Sequence, residues 1–296
     1  MSSARRYRIH HVTRYRYDQQ MEACYNRALL RPRETTHQQV LSSTITVNPE
    51  PELVSEHLDY FGNHSLYLET RTAATELEVV AEHVVVIDRP RPVAADLNAW
   101  TVAQAALWAR EHGDRLELVD FGLPSPLVEI TAEVRRFAAT AFGPETALGD
   151  ALTGLLAMIG ATFRYAQGST SVKTTLSQLL ELQHGVCQDF AHLAAGCLRS
   201  AGLPSRYVSG YLETVPAPGA TKLRGADATH AWVSVLTPHG WVDLDPTNDQ
   251  FVGSDHIVTA WGRDFSDVSP LRGVVLTEAT ESALHVAVDV EPEAVD

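Results

Sequence analysis

Apolar residues in the second half of the chain recur at helical spacing. Phe190, Ala191, Ala194, Cys197, Leu198 and Ala201 fall at i, i+3, i+4 intervals, which predicts a helix with one buried face. Gly202-Leu203-Pro204 ends it, because Gly accepts a left-handed cap and Pro cannot continue the hydrogen-bond ladder. Gly185 breaks any helix upstream. Similar spacing predicts earlier helices at 98–112, 126–142 and about 147–160. Alternation then predicts strands at 206–214, 230–236, 240–245 and near 273–277, with a last strand around Leu284, Val286, Val288 and Val290.

The front of the chain alternates instead. Tyr7, Ile9, His11 and Thr13 share one face, and Arg8, His10, Val12 and Arg14 the other, within a strand over 5–18. Further strands are expected at 26–33, 38–48, 53–60, 64–72 and 76–87, with turns at Asn48-Pro49-Glu50-Pro51 and Phe61-Gly62-Asn63. Many short strands at near-regular spacing imply a β-sandwich-like domain over 1–90. The Pro-rich stretch Asp88-Arg89-Pro90-Arg91-Pro92-Val93 marks a boundary, and 91–296 forms a second domain with helices segregated from an antiparallel sheet. The whole is α+β.

Composition narrows the function classes. The 296 residues suffice for two cores, and 45% hydrophobic with 20% charged residues describes a globular chain. A formal net charge of −14 argues against nucleic-acid binding and against adhesion to anionic membranes. The basic residues within 5–33 read as solvated strand faces that counter the acidic remainder. No run of about 18 apolar residues is present to span a bilayer, and the first residues lead into polar alternation rather than a signal core. Three cysteines, Cys24, Cys187 and Cys197, are no disulfide framework, and a reduced, cytoplasmic protein is expected. Cys197 belongs to the apolar stripe and reads as core.

Cys187 is different. It sits in the first turn of its helix, where unpaired N–H groups and the helix dipole favour a thiolate. A nucleophilic Cys needs a base and the base an orienting group. His230 in Thr229-His230-Ala231-Trp232 and Asp245 in Trp241-Val242-Asp243-Leu244-Asp245 lie downstream on two strands joined by Thr237-Pro238-His239-Gly240. A hairpin sets His230 beside Asp245, which is the arrangement of a Cys-His-Asp triad. Asp243 shares Asp245's face and competes for the role. The Cys187 N–H supplies one oxyanion donor, and Tyr165, Gln183 and Gln188 are candidates for a second, Tyr165 being preferred. Zinc is the other chemistry that Cys and His suggest. The spacing of His184, Cys187, His192 and Cys197 fits no common zinc template, so no metal is expected. Nucleotide-binding motifs are absent, and no cofactor is expected.

Gly185-Val186-Cys187, Arg206-Tyr207-Val208-Ser209-Gly210-Tyr211, His230-Ala231-Trp232 and Asp245-Pro246-Thr247-Asn248, in this order, resemble the bacterial transglutaminase-like superfamily over roughly 150–275. Tyr7 to Tyr17 resembles the β-rich domain that often precedes that core. The resemblance implies a papain-like core with helices packed on an antiparallel sheet. It favours Asp245 over Asp243, and it implies acyl transfer from a peptide or protein substrate carrying an amide. It further implies that the segment from His256 to Asp264 lines one edge of the site. With zinc set aside, His184, His192 and Asp189 read as residues at the rim of the site or just behind it. One departure stands out. Gln188-Asp189 follows Cys187, where animal transglutaminases carry Trp, so hydrolysis of a peptide or isopeptide-type bond is expected ahead of protein crosslinking. No acidic loop of EF-hand spacing supports calcium dependence. A non-catalytic binding module on the same fold and a zinc hydrolase are the competing classes. The stretch Thr214 to Ala226, rich in Pro and Gly, predicts a loop bordering the cleft.

Overall fold

Alternation continues from Arg5 to Ala28 and gives one strand, β1, of 24 residues. The computed structural model describes residues 4–214 and 229–294. After β1 come β2 (Gln38–Asn48), β3 (Leu53–Leu58), β4 (His64–Thr70) and β5 (Ala74–Ile87). The helical part holds α1 (Ala94–Leu97), α2 (Val102–His112), α3 (Arg115–Gly122), α4 (Ala132–Ala138) and α5 (Leu148–Thr162). Then follow β6 (Arg164–Tyr165), α6 (Leu176–Leu182), β7 (His184–Gly185), α7 (Cys187–Ser200) and β8 (Ser205–Leu212). The chain continues with β9 (Thr229–Thr237), β10 (Gly240–Asp245), β11 (Gln250–Phe251), β12 (His256–Gly262), α8 (Phe265–Val268), β13 (Leu271–Thr277) and β14 (Ser282–Glu293).

β1 organises a sheet of seven strands that curls on itself. Its first half pairs with β5 on one side and β14 on the other, and its second half with β4 and β13. The ladder with β5 shifts register between Arg16 and Met21, where the strand changes neighbours. Tyr7, Ile9, His11 and Thr13 are all buried, as their shared face predicts. Ala28, Leu66 and Leu271 from one end of the sheet pack against Val79, Ala81, Ile45 and Val47 from the other. The sandwich-like layering is thus one sheet folded over. The strands Leu271–Thr277 and Ser282–Glu293, assigned above to the second domain, complete this sheet by pairing with β1. The basic residues of β1 meet glutamates: Arg5 with Glu213, Arg6 and Arg8 with Glu293, Arg14 with Glu78, and Arg16 with Glu76.

The second sheet runs β11-β10-β9-β8-β12, all antiparallel. Leu193, Ala194, Cys197 and Leu198 of α7 pack with Val233 and Val235 of β9 and with Leu152, Leu155 and Leu156 of α5. Tyr211 and Ile257 meet Tyr7, Ile9, Val288 and Val290, joining the two sheets. α7 differs from the expected one-faced helix, because Asp189 through Arg199 are buried all round. Leu29, Ala191, Tyr207, Ala231, Ala260 and Val268 close its second side. Arg199 in its last turn donates to the Ser205 and Arg263 carbonyls.

The helix expected over 126–142 forms only at α4, because Thr131 caps it by accepting from the Val134 N–H. The one expected over 98–112 starts only at Val102, because the capping box of Thr101 with Gln104 begins α2 there. α3 and α6 were not anticipated. Asp114 caps α3 and Thr175 caps α6, both short helices with weak periodicity.

Candidate active site

Cys187 is the first residue of α7, so its N–H has no intrahelical acceptor. The turn before it is tightly specified. Asp189 is 3% exposed, and its Oδ2 accepts from the Val186 N–H at 2.8 Å and the Thr170 hydroxyl at 2.6 Å. A Cβ at Gly185 would come within 2.8 Å of that oxygen and 2.9 Å of Leu179 Cδ1. The Gly185-Val186-Cys187 sequence therefore follows from space: Gly leaves room for the carboxylate that fixes the helix start.

β9 brings His230 over this helix end, and β10 ends at Asp245. His230 Nε2 lies 2.9 Å from Asp245 Oδ2, with the two side chains 10% and 0% exposed. Nε2 is occupied by Asp245, which leaves Nδ1 for Cys187. Burial works against a charged His230, but hydrogen bonds to Asp245 and Cys187 and their charges outweigh it and push the imidazole up to about 10. Burial alone would raise Asp245. Hydrogen bonds from His230 and His256 reverse this and hold it far below the ordinary carboxylate range. The Asp-Pro-Thr-Asn turn adds donors: the Thr247 and Asn248 N–H groups reach Asp245 Oδ1 at 3.0 and 3.2 Å, and Asn248 Nδ2 reaches Oδ2 at 2.7 Å. Asp243 is occupied elsewhere. It accepts from Trp232 Nε1 at 3.3 Å and faces Arg89 at 3.6 Å.

His256 comes from β12, the segment expected to line an edge of the site, and it reaches the triad directly. Its Nε2 lies 3.0 Å from Asp245 Oδ2 and its Nδ1 3.0 Å from Asp255 Oδ1. Arg91 in turn pairs with Asp255 at 3.0 Å. His256 and Asn248 are the contributors that residue spacing did not single out; the only signal was their place within motifs of known type. His230, Asp245 and His256 also form a group whose ligand atoms lie within 4.8 Å of one another. An amide N–H donor, Asn248 Nδ2, points at their shared carboxylate oxygen, which suits a hydrogen-bonded network better than a cation.

The other named residues are dispersed. Tyr165 lies beside Gly185 in the β6–β7 bridge, is 51% exposed, and packs edge-on to Phe190. Burial and then the charge of Cys187 raise its phenol. Gln188 lines the cleft, whereas Gln183 takes the left-handed position that ends α6. His192 is buried against Tyr207 and accepts from the Phe265 N–H at 3.1 Å, and burial lowers it to about 4. Cys197 is fully buried, Cys24 is buried in the N-terminal sheet, and all three thiols are free. Burial raises the Cys197 and Cys24 thiols. Most of the predicted loop from Thr214 to Ala226 lies outside the described residues. No helix among the described residues is long and apolar enough to cross a membrane.

Comparison with known proteins gives the family and the fold. Residues 7–86 match the bacterial transglutaminase-like N-terminal region, and residues 135–246 the transglutaminase-like superfamily. A protein of Mycobacterium tuberculosis described only as uncharacterized is 39% identical over 99% of this chain and 94% of its own length. One of Mycobacterium leprae is 32% identical over 91% and 92%. A shorter stretch, 40% identical over 72 residues, matches 11% of a protein-glutamine gamma-glutamyltransferase of Pseudomonas aeruginosa. The crystal structure of a candidate cysteine protease from Cytophaga hutchinsonii superposes with a TM-score of 0.77. It covers 100% of this chain and 95% of its own at 21% identity, and so shares the fold.

Proposed function

Because the chain belongs to the transglutaminase-like superfamily, we propose that it is a cysteine-dependent acyl-transfer enzyme, a hydrolase of amide or peptide bonds. One observation carries the reading: Cys187 opens a buried helix against His230, whose far nitrogen is held 2.9 Å from a fully buried Asp245. The sulfur attacks the carbonyl carbon of the amide. A C–S bond forms as the C–N bond breaks, and the imidazolium of His230 gives its proton to the departing amine. Water then adds to the thioester carbonyl with His230 taking its proton. The C–S bond breaks, the carboxylic acid leaves and the thiolate returns. Asp245 keeps the ring oriented and stabilises its positive charge. The Cys187 N–H and the Tyr165 hydroxyl are the proposed donors to the oxyanion.

Transfer to an amine in place of water is the second reading, favoured by the local match to the Pseudomonas enzyme. Three free thiols suit a reducing compartment, and we read the protein as cytoplasmic. The test has two parts. Mapped alkylation by iodoacetamide across pH is expected to be fast at Cys187 near neutrality and slowed in His230→Ala. Peptide amides are then expected to yield an acyl-enzyme mass at Cys187, resolved by water, with Cys187→Ala inert. If Cys187 alkylates no faster than a free thiol and no acyl-enzyme forms, the non-catalytic module takes precedence. Release of amine-linked product ahead of acid selects the transferase.

A further inference from the structure

The sulfur of Cys187 opens into a cleft of about 310 Å³ whose opposite wall comes from the N-terminal sheet. On β1, Thr13 and Tyr15 face it, and on β14 Val286 and Leu284 stand beside them in the same register. Leu284 is 57% and Val286 44% exposed, an unusual placement for aliphatic residues of a paired strand next to a nucleophile. Leu271 and Phe265 extend the apolar surface. Despite the chain's net charge of −14, no Asp, Glu, Lys or Arg lines the cleft among the described residues. His11, its buried histidine on the β1 side, is lowered to about 4 by burial and stays neutral near pH 7.

We propose that Tyr15, Leu284 and Val286 form the acyl-donor subsite, which takes a neutral, apolar side chain on the residue that carries the scissile carbonyl. This rests on Cys187 being the nucleophile. Among the described residues, Tyr15, Leu284 and Val286 offer a charged side chain no ion-pair partner, whereas an apolar one gains from leaving water. The volume is at the small end for ligand sites and suits a short peptide segment. Leu284 and Val286 of β14, paired with Tyr15 and Thr13 of β1, complete the wall of the cleft on this side.

The experiment uses the full chain and N-blocked aminoacyl p-nitrophenyl esters of Gly, Leu, Phe, Glu and Lys. Cys187 forms a C–S bond to the acyl carbon as the C–O bond breaks, and p-nitrophenolate is counted by its colour. Leu and Phe donors are expected to exceed Gly, Glu and Lys by about tenfold or more in kcat/KM. Leu284→Lys, a substitution at an exposed position, is expected to cut the Leu-to-Gly ratio about tenfold and to raise Glu relative to Gly. Val286→Ser, which removes apolar surface without charge, should lower the Leu-to-Gly ratio alone. Identical donor rankings in wild type and both variants would overturn the subsite. Iodoacetamide, which has no side chain to be read, reports the triad separately. Rapid alkylation with a flat ranking defeats the subsite only, and slow alkylation with no acylation defeats the catalytic reading and the subsite with it.

Discussion

His256 Nε2 stands 3.0 Å from the same Asp245 oxygen that His230 Nε2 meets at 2.9 Å. The carboxylate is therefore gripped from both sides, and Asp255 anchors the outer imidazole through its other nitrogen. His256 is a positioning residue, since it touches Asp245 and not the sulfur. Its replacement by Ala is expected to lower kcat by about tenfold to a hundredfold, with a smaller change in KM. His256→Gln keeps a donor toward Asp245 and should recover part of the loss. Steady-state kinetics on an amide donor, with a thermal melt as control, decide it; full kcat in a normally folded His256→Ala would remove the role.

The space at Gly185 predicts a second effect. An added methyl meets the Asp189 carboxylate at 2.8 Å, and that carboxylate holds the Val186 N–H. Gly185→Ala is expected to cost about 1–3 kcal/mol and to slow alkylation of Cys187. Asp189→Ala, which leaves the helix start uncapped, is expected to cost about 1 kcal/mol or more, partly restored by Asn. Urea titration and timed alkylation give the two readouts.

Gly210, paired with His230 across the β8–β9 ladder, has even less room. A Cβ there would lie 2.0 Å from the Ile257 carbonyl oxygen and 2.6 Å from Trp232 Cη2. Backbone cannot step aside in the middle of a sheet, so Gly210→Ala is expected to cost more than about 3 kcal/mol. Gly160, exposed in α5 with nothing within 4 Å of an added Cβ, gives the opposite sign. Gly160→Ala is expected to stabilise by about 0.5–1 kcal/mol. Equal shifts in the two melts would contradict both.

Stability should fall in mild acid. Burial lowers His11 and His83 from 6.5 to about 4, so both are neutral in the fold while the unfolded chain binds their protons. Protons therefore favour the unfolded state, and stability declines as pH drops from about 6.5 toward about 4. His83→Gln is expected to flatten that slope, and His11→Gln likewise. Asp245, lowered in the fold, acts at the next step down, losing its contribution as pH falls below its unfolded value of 3.8. Denaturant midpoints measured at intervals from pH 7 to pH 4 test the sign.

Local chemistry was legible in the chain before any fold was known. Alternation at Tyr7, Ile9, His11 and Thr13 gave the buried face of β1, and Gly202-Leu203-Pro204 gave the end of α7. Cys187 at a helix start and His230 and Asp245 on a hairpin were readable because each depends on neighbours within a few residues or on a short turn. The same rules failed where caps overrode periodicity, as Thr131 and Thr101 did.

Tertiary structure decided what lies far apart in the chain. Backbone donors and acceptors are alike in every strand, so alternation says that β13 and β14 are strands without naming β1, at the other end of the chain, as their partner. The same holds for His256, which reaches Asp245 from the strand at the far end of the sheet, and for the apolar wall that Leu284 and Val286 set before Cys187. Sequence by itself determined the reactive groups and the short elements that carry them. Which surfaces enclose those groups was decided only by the packing of two sheets, since enclosure depends on side-chain shape meeting across space rather than on spacing along the chain.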